Sequence, residues 1–460
     1  MTTFHDTNLG PDVRSDDGRT FVALTDHLHP GDLAVIDAGS TSLLSQVRAR
    51  AGDPTTATGL ILGHLADGRL ERPQGRASLG DATIRPAGPD EASGLQAASR
   101  ATMEVGTWLL GVAEAPLRLR PAGFARHTFV CGQSGSGKTF ALGVVLEQLI
   151  LDTRLRMFVI DPNADFVHLG TTRPDAPPGT VDRLAASGTL DVQRADGAGG
   201  EALRVRFGHL SVAAQASVMQ LNPVSDRGEF NEWLHIDMND TSLDLGELIG
   251  HMTAGSPSEQ AFAQRVENLG IGDWKIWPRN TPGAVPMHER SARTTVLDIS
   301  GFGRRDEQLV VALDLLDRLW AEREQRQPAL VVIDEAHNIC PSDPSSPLER
   351  AVTDRLIQIA AEGRKYGLWL LLSTQRPSKV HPQVVSQCDN LMLMRMNSPS
   401  DVADLSRLFG FAPEAMLAMS PNFYQGEALF AGAFVPVPSF GRMGARLTME
   451  GGIDVPVPLP

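Results

Sequence analysis

The sequence predicts an α/β protein: a parallel sheet covered by helices on both faces, preceded by a small N-terminal β-barrel. Three observations predict it. From residue 126 onward, apolar strand-length runs alternate with helix-length runs, and repeated strand–helix units pair in parallel. A glycine-rich loop at 132–139 joins an apolar strand to a helix. Before residue 100 the apolar runs are short and cut by Gly and Pro, as in small barrels.

Taken in order, residues 1–18 carry Asp6, Asp12, Asp16 and Asp17 and read as a flexible tail. Residues 19–100 form the expected barrel, with strands at 21–24, 33–36, 43–47, 58–62 and 82–84. Residues 101–125 read as a linker with room for further strands at 106–113 and 117–119. The α/β domain spans 126–435. It opens with a strand at 127–131, a helix at 140–151 and a strand at 156–160. Residues from about 200 to 285 read as a helical insertion. The alternation resumes with strands at 294–299, 329–333, 368–373 and 390–396, and helices at 306–325, 349–362 and 401–409. Residues 436–460 hold Pro436, Pro438, Pro456, Pro458 and Pro460 and read as an extended C-terminal brace.

Composition narrows the class. A chain of 460 residues suggests two or three domains. Hydrophobic residues make up 42% and charged residues 21%, enough for real cores and unlike a disordered chain. A formal net charge of −14 excludes a globally basic nucleic-acid binder and leaves room for a local basic channel. Cys131, Cys340 and Cys388 form no CxxC pair, against a disulfide framework or zinc knuckle. No uncharged apolar run approaches the roughly 20 residues of a membrane helix. No signal peptide is read at the N-terminus, so the expectation is a cytoplasmic chain with no membrane partner.

The strongest motif is Gly132-Gln133-Ser134-Gly135-Ser136-Gly137-Lys138-Thr139, a complete GxxxxGK[ST] between strand and helix. Its backbone N–H groups can wrap a polyphosphate at a helix N-terminus. Lys138 is placed to reach the β/γ-phosphates of ATP and Thr139 to ligate Mg2+. A second strand ends in Asp334 and Glu335, at the carboxyl edge where open α/β sheets bind ligands. Asp334 would hold Mg2+ through its water shell, and Glu335 would activate the attacking water. Gln375, at the tip of the next strand, can sense the γ-phosphate or serve as a satisfied strand-end amide. Arg364, at a helix end, can supply a cation to transferred phosphate or cap the helix. Asp161 ends another strand and can bind metal-coordinated water or close a turn. Cys131 reads as a packed thiol.

Together, Arg126-His127-Thr128 leading into the loop, Asp161-Pro162-Asn163-Ala164-Asp165, Ile333–His337, Glu362–Gly367 and Ser373–Pro377 resemble the HerA family of the FtsK–HerA superfamily of ring-forming ATPases. The resemblance covers about 126–435. It implies a P-loop NTPase fold of the RecA-like ASCE type behind a HerA–ATP synthase-type barrel. It also implies a homo-hexamer with ATP at subunit interfaces, Arg364 facing a neighbour's nucleotide, and double-stranded DNA in a central channel. Such proteins pair with NurA-like nucleases or other effectors, in repair or in antiphage defence. This chain shows Ala164-Asp165 where relatives usually show Gly-Glu.

Two basic pairs, Arg304-Arg305 and Arg376 with Lys379, are candidate DNA contacts. Three functional readings follow: a DNA translocase or helicase-type motor, an ATP-dependent ring scaffold that docks an effector, and a conjugation or secretion ATPase.

Overall fold

The computed structural model describes residues 13–52, 55–66, 69–71, 78–111, 113–198, 202–235, 250, 252–278 and 292–452. Its strands begin with β1 (Val13–Ser15), β2 (Thr20–Leu24), β3 (Leu33–Ala38), β4 (Thr41–Ala51), β5 (Thr56–Ala66), β6 (Arg69–Glu71), β7 (Leu79–Pro86), β8 (Met103–Leu109), β9 (Glu114–Leu119) and β10 (His127–Cys131). They continue with β11 (Arg156–Asp161), β12 (Leu190–Arg194), β13 (Thr294–Asp298), β14 (Ala329–Ile333), β15 (Leu368–Thr374), β16 (Cys388–Met394), β17 (Glu427–Gly432) and β18 (Ser439–Met443). The chain forms two units. The first joins Met1–Thr153 to Cys388–Arg446, and the second joins Arg154–Gln387 to Leu447–Pro460.

The first unit opens with the barrel. Strands run in the order β2-β1-β7-β3-β4-β5, β5 pairs back with β2 to close it, and β6 hangs on β5. Alternation decides what fills it: Phe21 and Ala23 of β2 face inward while Val22 and Leu24 face out. Val13, Leu28, Ile36, Leu43, Val47 and Ile61 join them in the core. Each large apolar side chain so buried stabilises by about 1.5–3 kcal/mol. Closure needs Gly59, where a Cβ would lie 2.0 Å from the carbonyl oxygen of Gln46. All five expected strands fall within β2, β3, β4, β5 and β7.

Two expectations change here. Residues 13–15 of the expected tail form β1, which pairs with both β2 and β7; three residues are too few to show a period. Residues 1–12 of that tail lie outside the described residues. The expected linker at 101–125 carries β8 and β9, an antiparallel pair that joins β18. They overlap the strands allowed for at 106–113 and 117–119; their partner is far down the chain, so local sequence does not reveal the pairing. A helix at Pro89–Ala98 was not expected; Glu91 returns its carboxylate to the Gly88 N–H at 2.8 Å and starts it.

The rest of the first unit is a mixed sheet ordered β10-β16-β17-β18-β8-β9. β10 and β16 are parallel, and β17 and β18 follow antiparallel. Buried Asn390 ties it together: its amide donates to the Gly123 carbonyl and the Thr128 hydroxyl, and its oxygen accepts the Phe434 N–H. The expected brace at 436–460 divides. Ser439–Met443 is strand β18, residues from Leu447 belong to the second unit, and 453–460 lie outside the described residues.

The second unit holds a wholly parallel sheet ordered β12-β13-β11-β14-β15. All five residues of β14 are buried, as a strand covered on both faces requires. Helices Arg305–Ala321 and Pro347–Glu362 cover it, tied by Arg355 donating to Asp317 at 2.7 Å. Among the described residues of the expected insertion the helices are Val212–Val218, Arg227–His235 and Pro257–Leu269, the last started by a Ser256–Glu259 capping box. Residues 236–249 and 279–291 of that stretch lie outside the described residues. Among the described residues no helix is long and apolar enough to cross a membrane.

Candidate nucleotide site

In the first unit, β10 is buried along its whole length and delivers the chain to the loop at Gly132. Gly135 and Gly137 take φ of +72° and +88°, the left-handed region that glycine allows without strain. The Ser136 N–H donates to the Gln133 carbonyl at 3.1 Å, which closes the turn. The helix Lys138–Asp152 starts at once, and Lys138 is almost wholly buried at its first position.

Neighbouring segments fix the loop from outside. The Gln133 N–H donates to the Arg395 carbonyl, Arg395 Nη2 donates to the Gly135 carbonyl at 3.1 Å, and the Asn397 N–H donates to Gln133 Oε1. The Gly426 N–H donates to the Ser136 carbonyl at 2.9 Å. Gly132 has no room for a side chain, since a Cβ would fall 2.7 Å from Cβ of Met394. Two buried polar atoms, Ser136 Oγ and Arg395 Nε, have no hydrogen-bond partner among the described residues. Unmet donors beside a glycine-shaped cradle and a helix N-terminus suit a polyphosphate, so the residues present fit the nucleotide that the motif implies. Arg395 did not emerge from the sequence. The usable signal is a cation just past the strand that pairs with β10.

In the second unit, β11, β14 and β15 end together and gather the acidic and amide side chains. Asp161 is fully buried. Its carboxylate accepts N–H bonds from Asn163, Asp165 and Phe166 at 3.2, 3.1 and 2.8 Å. Burial pushes its pKa up to about 7, against the pull of those N–H donors, with the nearby Asp165 and Asp334 charges adding to the rise. These are the partners of a turn-closing residue. Within that turn Ala164 sits at φ +59°, a conformation glycine accepts more readily.

Asp334 is fully buried at the end of β14, and its N–H donates to the Ile160 carbonyl at 3.1 Å. Glu335 follows in the left-handed region at φ +44°, a backbone state costing about 1–3 kcal/mol and concentrated at functional sites. Its Oε1 accepts from Gln375 Nε2 at 2.9 Å. Its Oε2 lies 3.3 Å from His337 Nδ1, which also meets Thr374 Oγ1 at 3.1 Å. The structure therefore brings Glu335, Gln375, His337 and Thr374 into one cluster. Sequence reasoning gave His337 and Thr374 no role of their own. Their signal is position, two residues past Glu335 and one before Gln375. A buried carboxylate oriented by an amide and an imidazole can orient a water and take its proton.

Arg364 is exposed in the turn Gly363–Tyr366, at the opposite end of β15. About 20 Å of strand separates it from Gln375, so Arg364 cannot reach the carboxylate cluster of its own chain. Of the basic pairs, Arg305 meets the Glu349 carboxylate at 2.8 Å and Arg304 lies 5.8 Å over the Trp274 ring. Both remain exposed while making these contacts. Arg376 and Lys379 are exposed. Cys131 is buried and its thiol pKa is driven up by burial, as expected of a packed thiol.

Residues 103–266 match the family model of the helicase HerA central domain. Over those residues the chain is similar to HerA. It is 30% identical over 129 residues to a probable DNA double-strand break repair helicase HerA of Methanocaldococcus jannaschii, covering 28% of this chain and 25% of that protein. With the DNA double-strand break repair helicase HerA of Pyrococcus furiosus it shares 22% identity over 384 residues, 69% of this chain and 65% of that one. The chain thus spans less than two thirds of the length of either relative. Among solved structures, VirB4 of Thermoanaerobacter pseudethanolicus superposes with a TM-score of 0.53 at 14% identity, over 75% of this chain and 96% of that one. That likeness establishes a shared P-loop ATPase fold.

Proposed function

We propose that this chain hydrolyses ATP and uses the energy to move double-stranded DNA, as a homo-hexamer working with a nuclease or other effector. The observation that carries the reading is Glu335: a buried carboxylate in a strained backbone state, oriented by Gln375 and His337 at the carboxyl edge of β14. A structural carboxylate would not need the strain. In this reading, residues 132–139 bind the polyphosphate, with Lys138 neutralising its β/γ oxygens. In the first unit Thr139, and in the second Asp334, are the residues that would hold Mg2+, which would neutralise charge on the phosphates. Glu335 takes the proton of the attacking water. Gln375 keeps Glu335 aimed and reports the γ-phosphate. Arg364 acts on a neighbour's nucleotide, because its own strand holds it away from Glu335. The barrel offers the effector a docking face.

The experiment is ATP turnover by the purified chain, with and without linear double-stranded DNA, at low and then moderate salt. Stimulation that fades with salt is expected, since phosphate contacts release counterions. Turnover indifferent to DNA would replace the motor with a scaffold that answers to its protein partner.

A further inference from the structure

Residues 423–427 join the phosphate loop to an aromatic ring whose exposure packing does not explain. The chain has two tyrosines. Tyr366 packs edge-on against Trp320 at 5.8 Å, whereas Tyr424 is 77% exposed. Its neighbour Phe423 is buried and meets Phe440 edge-on at 5.7 Å, so one aromatic anchors the segment and the next is turned outward.

Tyr424 is presented on a fixed turn. The Glu427 N–H donates to the Tyr424 carbonyl at 3.0 Å, and the Glu427 carboxylate accepts the Tyr424 N–H at 3.0 Å. Gly426 supplies the φ of +82° that the third position of such a turn demands. Arg442 lies 3.6 Å from the Glu427 carboxylate and steadies it. The turn is fastened to the phosphate loop itself, through the Gly426 N–H on the Ser136 carbonyl. It lies so close that a Cβ on Gly137 would be 3.3 Å from the Gly426 nitrogen. Ser136 and Gly137 form the junction of loop and helix, where this motif cradles the α- and β-phosphates. The nucleoside half of a bound nucleotide leaves from that end.

We propose that Tyr424 stacks on the base of a nucleotide whose phosphates lie in the loop 132–139. The inference rests on the nucleotide reading above and adds the residue that binds its other half. A ring face offers stacking to any base, so purine nucleotides should bind alike.

The test is titration calorimetry of the full chain with ATP and with tripolyphosphate, each with Mg2+. Tyr424→Ala is expected to weaken ATP about tenfold, while tripolyphosphate is unchanged and Tyr424→Phe stays within about twofold of wild type. If both ligands weaken together, or neither does, the proposal is overturned. Lys138→Ala separates the two levels. It should weaken ATP and tripolyphosphate alike, and its failure to weaken either would sink the nucleotide reading rather than the role of Tyr424.

Discussion

Arg446 and Glu147 make a fully buried ion pair at 3.1 Å, both side chains at 0% exposure. Glu147 lies on the helix that begins with Lys138, so the pair ties that helix to the C-terminal segment. Gly143, one turn earlier, makes the space: a Cβ there would fall 2.5 Å from the guanidinium carbon of Arg446. Removing one partner of a buried pair strands the other charge and costs about 3–5 kcal/mol. At about 2–4 °C per kcal/mol for a unit of this size, Arg446→Met should lower Tm by about 10 °C. The double variant Glu147→Leu/Arg446→Met, with no charge left to strand, should recover most of that loss. Gly143→Ala gives a second reading of the same contact. In an ordinary helix this change stabilises by about 1 kcal/mol, and here it should destabilise. Thermal melts and urea titrations report all three variants. A double variant as unstable as the single one, or a Gly143→Ala variant that melts higher, would show that the buried pair does not hold the helix in this way.

Further predictions concern the chemistry. Glu335→Gln should keep ATP affinity and lower turnover by about 10²–10⁴-fold, read by calorimetry and phosphate release. Arg364→Ala should bind ATP normally but lose about 10³-fold in turnover. Mixing it with Lys138→Ala should restore part of the rate, because one interface can take its intact halves from different parents; no rescue under subunit exchange would exclude a finger acting across subunits. Asp161, with a pKa pushed up to about 7 by burial, binds its proton more tightly folded than unfolded. Its contribution to stability is complete below about pH 4 and is lost as pH rises through 7. In the nucleotide-free chain the urea midpoint should therefore fall between pH 5 and 8, and fall less in Asp161→Asn.

The sequence made the second unit legible because its strands are continuous apolar runs buried on both faces, β14 above all. The phosphate loop was legible because its spacing is a backbone requirement. The barrel strands could be found, though not their closure, which depends on the contact of Gly59 with β4. What stayed hidden depends on partners distant in the chain. The pairing of β8 with β18 is one case; Arg395 makes sense only beside β10, and Arg446 only against Glu147. Asp161 illustrates a different gap. Its position at a strand end was plain, but three backbone donors show it closing a turn, and no spacing rule reveals where those N–H groups point. Arg304 and Arg305 are adjacent cations in the sequence, and only the fold places Glu349 and Trp274 beside them.

The proposed function has ATP hydrolysis at Glu335 drive movement along duplex DNA. The most direct measurement is displacement of a third strand from a linear duplex by the purified chain with ATP and Mg2+. Displacement that needs ATP and is absent with Glu335→Gln is expected. ATP turnover stimulated by duplex with the third strand left in place would contradict it.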